Sequence, residues 1–363
     1  MRLAVALAFA IVVAPARAGA SVDFAPVPPR PGAVPHLLYV DRCPQGCAIG
    51  AGDDDARADT SSVTSAGTLT ALPRLDLAWA SLLLCLDDTF APYGLEVVTE
   101  EPAATADYVE IKIAGLPGDL GLAAERRSIA PIASDCTPLD HGLGFVFGSL
   151  WDLTDIVDAP VDLCGEVGHV AGHLLGLDHV LEAGDPMAAA GGGRRRFVDG
   201  PVDCGEDGLP RACLCRDSRQ DDHGLLVGRL GVGAGEPPPH LTFVTPGDGD
   251  TVRATVTLEV EVDTARPVDH LELWRDGRLL APLPGGDAGG RYTMRWVPDH
   301  LVGDHRLEVR AVDDRGDQGR AAIEVYWADD ALCTTGGPAT LAPTALLLPL
   351  LLRRRRRGAR SRP

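Results

Sequence analysis

Three histidines in one short stretch constrain this chain more than any other feature. His169, His173 and His179 stand in the pattern H-x-x-x-H-x-x-G-x-x-H, with Gly176 between the second and the third. His169 and His173 are one helical turn apart, so their side chains share one helix face. Gly176 permits the left-handed backbone that ends a helix, and the turn brings His179 back towards the other two. The spacing predicts three imidazoles that hold one metal ion and leave a fourth position open.

This pattern resembles the zinc-ligand motif of the metzincin peptidases. The resemblance implies zinc as the cofactor, His169, His173 and His179 as its ligands, and a peptide or extracellular protein as substrate or ligand. The sequence departs from the motif at Val170, where the family carries the glutamate that acts as general base. Valine cannot accept a proton, so the chain is either a peptidase with altered chemistry or a pseudo-enzyme. Because only this element is missing, the sequence alone predicts that Val170→Glu raises peptidase activity.

Glu166 is the nearest acidic candidate for the missing base. It lies three residues before His169, about one helical turn away, so its side chain can reach the metal side of the helix. General-base catalysis depends strongly on placement, and this placement is unfavourable. Glu166 is therefore a weak candidate for the base and a better candidate for a group that supports the metal ligands.

Met187 follows the third histidine after a short loop, in the run Asp185-Pro-Met187. The resemblance implies that Met187 forms the methionine turn that metzincins carry beneath the metal. The alternative is that Met187 fills a gap in a core, as methionine often does. An alternative also stays open for the three histidines, namely a helix that keeps the shape of the site without the ion.

Both ends of the chain carry the pattern of processing signals. Residues 1–18 combine an N-terminal arginine, an apolar run and a small-residue cleavage site, which predicts a secretory signal peptide. Residues 329–363 contain Cys333, an apolar run shorter than the roughly 20 residues of a membrane span, and an arginine cluster. This end resembles the MYXO-CTERM sorting tail, which implies that Cys333 is the sorting residue and that the tail associates transiently with a membrane. The alternative is an ordinary single-span anchor.

Cysteine usage and charge agree with a secreted protein at the cell surface or outer envelope. Eight of the nine cysteines lie in the N-terminal part of the chain, an even number that predicts disulfides in an oxidising compartment. Proximity suggests a Cys43–Cys47 bridge and a bridge from Cys204 to Cys213 or Cys215, with a zinc knuckle from the last three as the alternative. The formal net charge of -19 argues against nucleic acid as a partner, because phosphate binding needs a basic surface.

Composition divides the rest of the chain into two domains and two linkers. Residues 19–35 are rich in proline and residues 233–239 in glycine and proline, which predicts a linker in each place. Residues 36–232 carry helix and strand patterns before the histidine helix, the order expected of a metzincin-like α+β domain. Residues 240–328 carry short strands between turn signals, similar to bacterial immunoglobulin-like domains. The predicted fold is thus an α+β metzincin-like domain followed by an all-β immunoglobulin-like sandwich.

An arginine run, Arg194 to Arg196, follows Met187. It predicts a solvated surface patch, since runs of like charge are usually exposed. The alternative is a site for a substrate carboxylate, which arginine binds well in a bidentate geometry.

These features favour a secreted, surface-anchored protein that resembles a zinc metallopeptidase, in which Val170 replaces the general base. The first alternative is a catalytically inactive, zinc-holding binding or adhesion protein of the cell envelope. The second is an adhesion protein in which the immunoglobulin-like module carries the function and the first domain is structural. A measurement of zinc content distinguishes the adhesion protein with a structural first domain from the two zinc-holding proteins. A cleavage assay then distinguishes the peptidase from the inactive binding protein.

Overall fold

The structure is a computed structural model that describes residues 23–30, 32–189, 192–215, 218–253, 255–286, 289–297 and 302–328. The predicted signal peptide and the predicted sorting tail with Cys333 lie outside the described residues. Buried apolar side chains form separate cores, with the largest core of the first domain running from Val27 to Leu230 and the core of the second from Leu241 to Trp327. Among the described residues, no helix is long and apolar enough to cross a membrane.

The first domain is organised around a mixed sheet. Its strands, in chain order, are β1 (Phe24–Val27), β2 (Leu37–Asp41), β3 (Cys47–Ala51), β4 (Thr60–Ser61), β5 (Gly67–Leu69), β6 (Glu96–Val98), β7 (Tyr108–Ile113), β8 (Ser128–Ala133), β9 (Leu143–Val146), β10 (Val202–Asp203), β11 (Gly205–Glu206), β12 (Leu209–Pro210) and β13 (Arg219–Gln220). The central sheet has the order β1-β8-β9-β7-β2-β6, in which only the β8–β9 pair is antiparallel. Strands β7, β8 and β9 are buried along their whole length, because protein covers both faces of the sheet there.

Three helices complete the described part of this domain: α1 (Leu75–Phe90), α2 (Asp158–Leu174) and α3 (Asp222–Leu230). Helix α1 packs against α2, and a Cys85–Cys164 disulfide joins the two. Helix α2 also packs against β8 and β9, which buries it from Leu163 to its end. Pro160 lies in the first turn of α2, where the missing N–H of proline would have no helical partner in any case. The histidine helix therefore packs against the part of the sheet that contains β8 and β9.

The N-terminal linker predicted at residues 19–35 differs from the structure in its described part. Residues 24–27 form β1, which pairs in parallel with Ala130–Ala133 of β8. The Val27 side chain is only 7% exposed and belongs to the core of the domain. Pro26 is compatible with this strand because β1 lies at the sheet edge, where one side of the backbone needs no hydrogen-bond partner.

Disulfides cross-link the described part of the first domain, with the pairs Cys43–Cys47, Cys85–Cys164, Cys136–Cys215 and Cys204–Cys213. The two predicted pairings, Cys43–Cys47 and Cys204 with Cys213, are confirmed. The zinc knuckle alternative is wrong, because each of its three cysteines is consumed by a disulfide. Two of the bridges close loops with a sequence separation of 79 residues and so restrict the unfolded chain most strongly.

The second domain is a sandwich of two sheets. Its strands are β14 (His240–Thr245), β15 (Thr251–Val252), β16 (Val256–Asp263), β17 (Val268–Arg275), β18 (Arg278–Gly286), β19 (Gly290–Trp296), β20 (Gly303–Asp313) and β21 (Gln318–Trp327). One sheet has the order β14-β16-β19 and the other β15-β21-β20-β17-β18. A turn at Asp276-Gly277 joins β17 to β18, with φ values of 49° and 76° that suit a tight hairpin.

Charged side chains join the two domains. The Arg196 Nε atom lies 3.0 Å from Asp317 Oδ1 in the second domain, and Arg320 of the second domain pairs with Glu182 of the first. Both arginine side chains are buried at this interface, so each needs its carboxylate partner.

The prediction of a solvated arginine run is wrong for two of its three members. Arg195 and Arg196 are 5% and 7% exposed, and only Arg194 keeps a largely exposed side chain. Arg195 donates a hydrogen bond to the Ala188 carbonyl oxygen, and Arg196 also pairs with Asp88. Arg196 is buried because Asp88 of α1 and Asp317 of the second domain cover it, and sequence spacing alone does not reveal that packing.

Candidate metal centre

The three histidines of the motif converge at the C-terminal end of α2. His173 Nε2 lies 3.0 Å from His169 Nε2 and 3.2 Å from His179 Nε2, and the remaining Nε2 pair is 3.3 Å apart. Each of the three residues is at most 2% exposed. Gly176 makes the turn with φ of 86°, and a Cβ there would lie 2.2 Å from the Cys136 carbonyl oxygen. Only glycine meets both demands, so the spacing of the motif produces the predicted convergence.

The opposite ring nitrogen of each histidine is held by an oxygen that can only accept a hydrogen bond. His169 Nδ1 lies 2.7 Å from the Pro186 carbonyl oxygen, and His173 Nδ1 lies 2.9 Å from the Leu177 carbonyl oxygen. His179 Nδ1 lies 3.2 Å from Glu206 Oε1. With an ion bound, each Nδ1 therefore keeps its proton, and the lone pair of each Nε2 is available to the ion. This tautomer and ring orientation are what a metal-ligating histidine requires.

A chain of charged groups supports His179. Glu206, its partner, receives a hydrogen bond from Arg211 Nε at 3.0 Å, and Arg211 Nη1 donates to Asp178 Oδ2 at 2.6 Å. Hydrogen bonds from His179 and Arg211 lower the pKa of Glu206 to about 2, so its carboxylate stays charged. The Cys204–Cys213 disulfide closes the hairpin that carries Glu206 and Arg211. This hairpin fixes the orientation of the third imidazole.

Met187 lies directly against α2, at Gly172 beside His173. Its side chain is fully buried, and a Cβ built at Gly172 would lie 2.1 Å from Met187 Sδ. The turn is held by Asp185, whose Oδ1 accepts from the Met187 N–H at 2.8 Å. The preceding Pro186 supplies the carbonyl that anchors His169. The Asp185-Pro-Met187 segment thus packs against α2 and orients one of the histidines.

A fourth side chain, which the sequence did not indicate, enters the cluster from the N-terminal strand. Asp23 Oδ1 lies 2.8 Å from His179 Nε2, and Asp23 Oδ2 lies 3.1 Å from His169 Nε2. The potential ligand atoms of Asp23, His169, His173 and His179 all lie within 4.8 Å of one another. The Phe24 ring packs against His173 and His179, with ring centroids 4.8 and 5.0 Å apart. The fourth position that the motif predicts as open is therefore faced by a carboxylate.

The electrostatics of the cluster suit a cation. Burial and the neighbouring His169 lower the pKa of His173 to about 4, so its ring is neutral. Burial opposes charge on His179, but hydrogen bonds to Asp23 and Glu206 outweigh it and raise its pKa to about 9. Burial likewise opposes charge on Asp23, and the attraction of His169 and hydrogen bonds to the imidazoles hold its pKa well below the ordinary value. A positive charge is thus favoured between these groups, and a metal ion would take the place of the proton.

The spacing of the ligand atoms is compatible with a small tetrahedral ion. An ion about 2.05 Å from each nitrogen in tetrahedral geometry would place the nitrogens about 3.3 Å apart. The three Nε2 separations of 3.0, 3.2 and 3.3 Å are close to that value. The side chains present therefore form a group that can hold a metal ion.

Val170 cannot take part in proton transfer, because its side chain is apolar and packed in the core. It is fully buried, and a Cβ at Gly144 of β9 would lie 2.3 Å from Val170 Cγ1. The valine side chain fills the space that Gly144 leaves between α2 and the sheet. The position next to the first histidine is therefore part of the hydrophobic core.

The Glu166 carboxylate is engaged elsewhere. Its Oε1 accepts a hydrogen bond from Ser128 Oγ at 2.7 Å, and its Oε2 lies 3.7 Å from Arg127 Nη2. Neither oxygen belongs to the group of atoms that converges with the histidines. Glu166 links the start of β8 to α2, and the geometry gives it no direct contact with the metal ligands.

A second cluster of metal-ligating residue types, Asp41 with Cys43 and Cys47, lies at the end of β2. Both cysteines are joined in a disulfide, so neither can supply a thiolate. The Asp41 carboxylate instead pairs with buried Lys112 at 3.2 Å. This cluster is an ion-pair site rather than a metal site.

Sequence reasoning missed Asp23 and Glu206, which both touch the histidines. Asp23 stands before a proline-rich stretch more than a hundred residues upstream, and no spacing rule connects it to α2. Glu206 could have been suspected, because it lies in the short loop between two cysteines that follow the motif. An acidic residue held by a disulfide close to a metal ligand is a candidate partner for that ligand's free N–H.

Comparisons with known proteins concern the second domain. Residues 239–309 match the family described as Bacterial Ig domain. No curated protein matches the chain.

Several solved structures resemble parts of the chain. The fibronectin(III)-like modules of Clostridium thermocellum CbhA are 14% identical, with a TM-score of 0.20 over 24% of this chain and 96% of that one. An LPMO from Kitasatospora papulosa is 12% identical, with a TM-score of 0.20 over 22% of this chain and 51% of that one. CopC from Methylosinus trichosporium OB3b is 19% identical, with a TM-score of 0.19 over 25% of this chain and 96% of that one. At these scores the similarities carry no functional argument, and the family match alone identifies the second domain as a bacterial immunoglobulin-like domain.

Proposed function

We propose that this protein is a secreted, surface-anchored relative of the metzincin metallopeptidases that holds zinc and does not hydrolyse peptides. The observation that carries the proposal is the arrangement of three imidazoles, each anchored at Nδ1 by an oxygen acceptor and each presenting Nε2 to one point. Histidine nitrogens at tetrahedral spacing favour zinc over hard cations, which prefer oxygen ligands.

The residues around the site support binding more than hydrolysis. Zinc, when bound, supplies a Lewis acid that polarises a carbonyl or activates water. Hydrolysis also needs a side chain that takes the proton of the attacking water and returns it to the leaving amine. Val170 is apolar and packed in the core, and Glu166 is bonded to Ser128. Loss of a general base typically lowers the rate by about 10²–10⁴-fold.

The rest of the chain supports a location outside the cytoplasm. Four disulfides in the first domain suit an oxidising compartment, and the predicted signal peptide and sorting tail would deliver the protein to the cell surface. The immunoglobulin-like domain contacts the first domain through charged side chains, such as Arg196 with Asp317. We therefore expect the two domains to act together in binding an extracellular peptide or protein.

The test is a cleavage assay on the zinc-supplemented protein without its predicted signal peptide and tail, residues 19–332. The proposal predicts no hydrolysis of a panel of unfolded proteins above the level of the His173→Ala variant, which lacks a ligand. Zinc-dependent cleavage that His173→Ala abolishes would overturn the non-hydrolytic assignment and favour an active metallopeptidase.

A further inference from the structure

We propose that Asp23 is a permanent fourth protein ligand, so that the metal centre is a closed structural cross-link that ties the N-terminal strand to α2. This inference rests on the proposed function, because it takes the three histidines to be metal ligands. It goes beyond that function in assigning a ligand outside the histidine motif and a structural role to the ion.

The Asp23 carboxylate lies beside all three histidines. Its oxygens lie 2.8 Å from His179 Nε2, 3.1 Å from His169 Nε2 and 3.7 Å from His173 Nε2. A carboxylate in this place occupies the corner that the three nitrogens leave free. Structural zinc sites have four protein ligands, whereas catalytic sites keep one position for water or substrate. The arrangement belongs to the first class.

Strand β1 is held in the fold by main-chain hydrogen bonds and by core packing. The Ala130 N–H donates to the Asp23 carbonyl oxygen at 3.1 Å, and the Ser134 N–H donates to the Val27 carbonyl oxygen at 2.8 Å. Val27 lies in the core of the domain, and the Phe24 ring covers two of the histidines. Residues 23–27 are thus held by main-chain hydrogen bonds, by core packing and by the contacts of the Asp23 carboxylate.

The residue next to the first histidine also fits a structural ion, without involving Asp23. Val170 fills the place next to the first histidine with an apolar side chain packed on Gly144. An open metal position serves hydrolysis by holding a water molecule, and that water needs a general base to activate it. A filled fourth position and an absent base are two independent features that both fit a structural ion.

The closed site also explains why a short edge strand stays in place. A strand of four residues at a sheet edge makes few backbone hydrogen bonds and is expected to fray when nothing else holds it. A cross-link between Asp23 and the three histidines of α2 and its following turn would fix the residue that directly precedes the strand. Removal of the ion should therefore loosen β1 first and leave the disulfide-linked remainder of the domain folded.

The experiment compares the wild-type chain of residues 19–332 with Asp23→Asn, which keeps the shape of the side chain and removes its charge. The matched control is Asp53→Asn, because the Asp53 side chain is 95% exposed and far from the histidines in sequence. Zinc affinity is measured by competition with a chelator. Hydrogen exchange of residues 24–27 and 128–134 is measured with and without zinc.

We expect Asp23→Asn to weaken zinc binding by about 100-fold, since loss of even an indirect contact to a metal ligand typically weakens binding 10- to 100-fold. We also expect zinc to slow exchange in residues 24–27 and 128–134 of the wild type and of Asp53→Asn, and not of Asp23→Asn. Zinc binding to Asp23→Asn within twofold of the wild type would overturn the inference. So would wild-type protein that binds zinc tightly without any change in exchange at residues 24–27.

The two proposals fail in different ways. If the wild type binds no zinc, the proposed function itself is refuted. If it binds zinc equally well with and without the Asp23 carboxylate, the three histidines are ligands and the fourth position is open.

Discussion

Val170 packs on Gly144 so closely that a Cβ at position 144 would lie 2.3 Å from Val170 Cγ1. The position that carries the general base in metzincin-like motifs is thus built into the contact between α2 and β9. Val170 faces a glycine in the neighbouring strand, which leaves room for its side chain. The packing of α2 on β9 therefore favours a small apolar side chain at position 170 and leaves no room for a glutamate pointing towards β9.

Val170→Glu is expected to bring no peptidase activity, in contrast to the prediction from the motif alone. A carboxylate at this position would be buried against β9 without a partner, and Asp23 would still face the metal position. We expect the free energy of unfolding to fall by roughly 3 kcal/mol or more, as for other uncompensated buried charges. Chemical denaturation and a cleavage assay measure the two effects. Val170→Ala, which adds no charge, should lower the stability less, and a folded Val170→Glu variant that cleaves peptides would contradict this account.

Glu206→Gln should weaken zinc binding by about 10- to 100-fold, because it removes the charged acceptor that orients the His179 ring. The control is Asp203→Asn, which changes a nearby acidic side chain that pairs with Arg219 at the surface. Chelator competition measures both variants. Equal affinities for Glu206→Gln and Asp203→Asn would show that the Glu206 contact does not support the ligand.

Gly172 and Met187 should behave as a coupled pair, because a Cβ at Gly172 would lie 2.1 Å from Met187 Sδ. Gly172→Ala is expected to destabilise the domain by about 1–3 kcal/mol through overpacking, and Met187→Ala by about 2–5 kcal/mol through a cavity. The double variant should be more stable than the sum of the two effects predicts. Denaturation of all four proteins measures this coupling, and additive effects would refute the contact.

Much of the site and of the second domain could be predicted because the signals are local. The histidine spacing follows from helix periodicity and from the turn at Gly176, and both lie within eleven residues of chain. The alternation of Leu258, Val260 and Val262 likewise marks a strand with one buried face. Strand β18, which was not predicted, contains Pro282 and Pro284 and survives because it lies at a sheet edge.

The features that sequence reasoning missed depend on contacts between distant segments. Asp23 reaches the histidines only because β1 pairs with β8, and its proline-rich neighbourhood is typical of a linker. Arg196 is buried between Asp88 of α1 and Asp317 of the second domain. No periodicity in the chain encodes either contact, so tertiary structure was needed to find them.

Asp222→Asn should change the pH dependence of stability. Burial and the adjacent Asp185 carboxylate raise the pKa of Asp222 well above its ordinary value, and burial raises that of Asp185 to about 6. Carboxyl groups with raised pKa values favour the folded state at low pH, and this contribution is lost as the pH rises from about 4 through the folded-state values.

The asparagine variant cannot titrate at this position, so its stability relative to the wild type should rise between pH 4 and pH 7, by more than about 1 kcal/mol. Denaturant unfolding at a series of pH values measures the difference. Parallel stability curves for the two proteins would show that the pKa of Asp222 is not raised in the folded state.

The most direct test of the account is the metal content of the purified chain of residues 19–332, measured by elemental mass spectrometry after mild dialysis. The account predicts one zinc ion per chain in the wild type and none in His173→Ala, because His173 Nε2 contacts both other ligand nitrogens. A folded wild-type sample that takes up no zinc when the ion is offered would contradict the account, and the histidine cluster would then be a relic of a metal site.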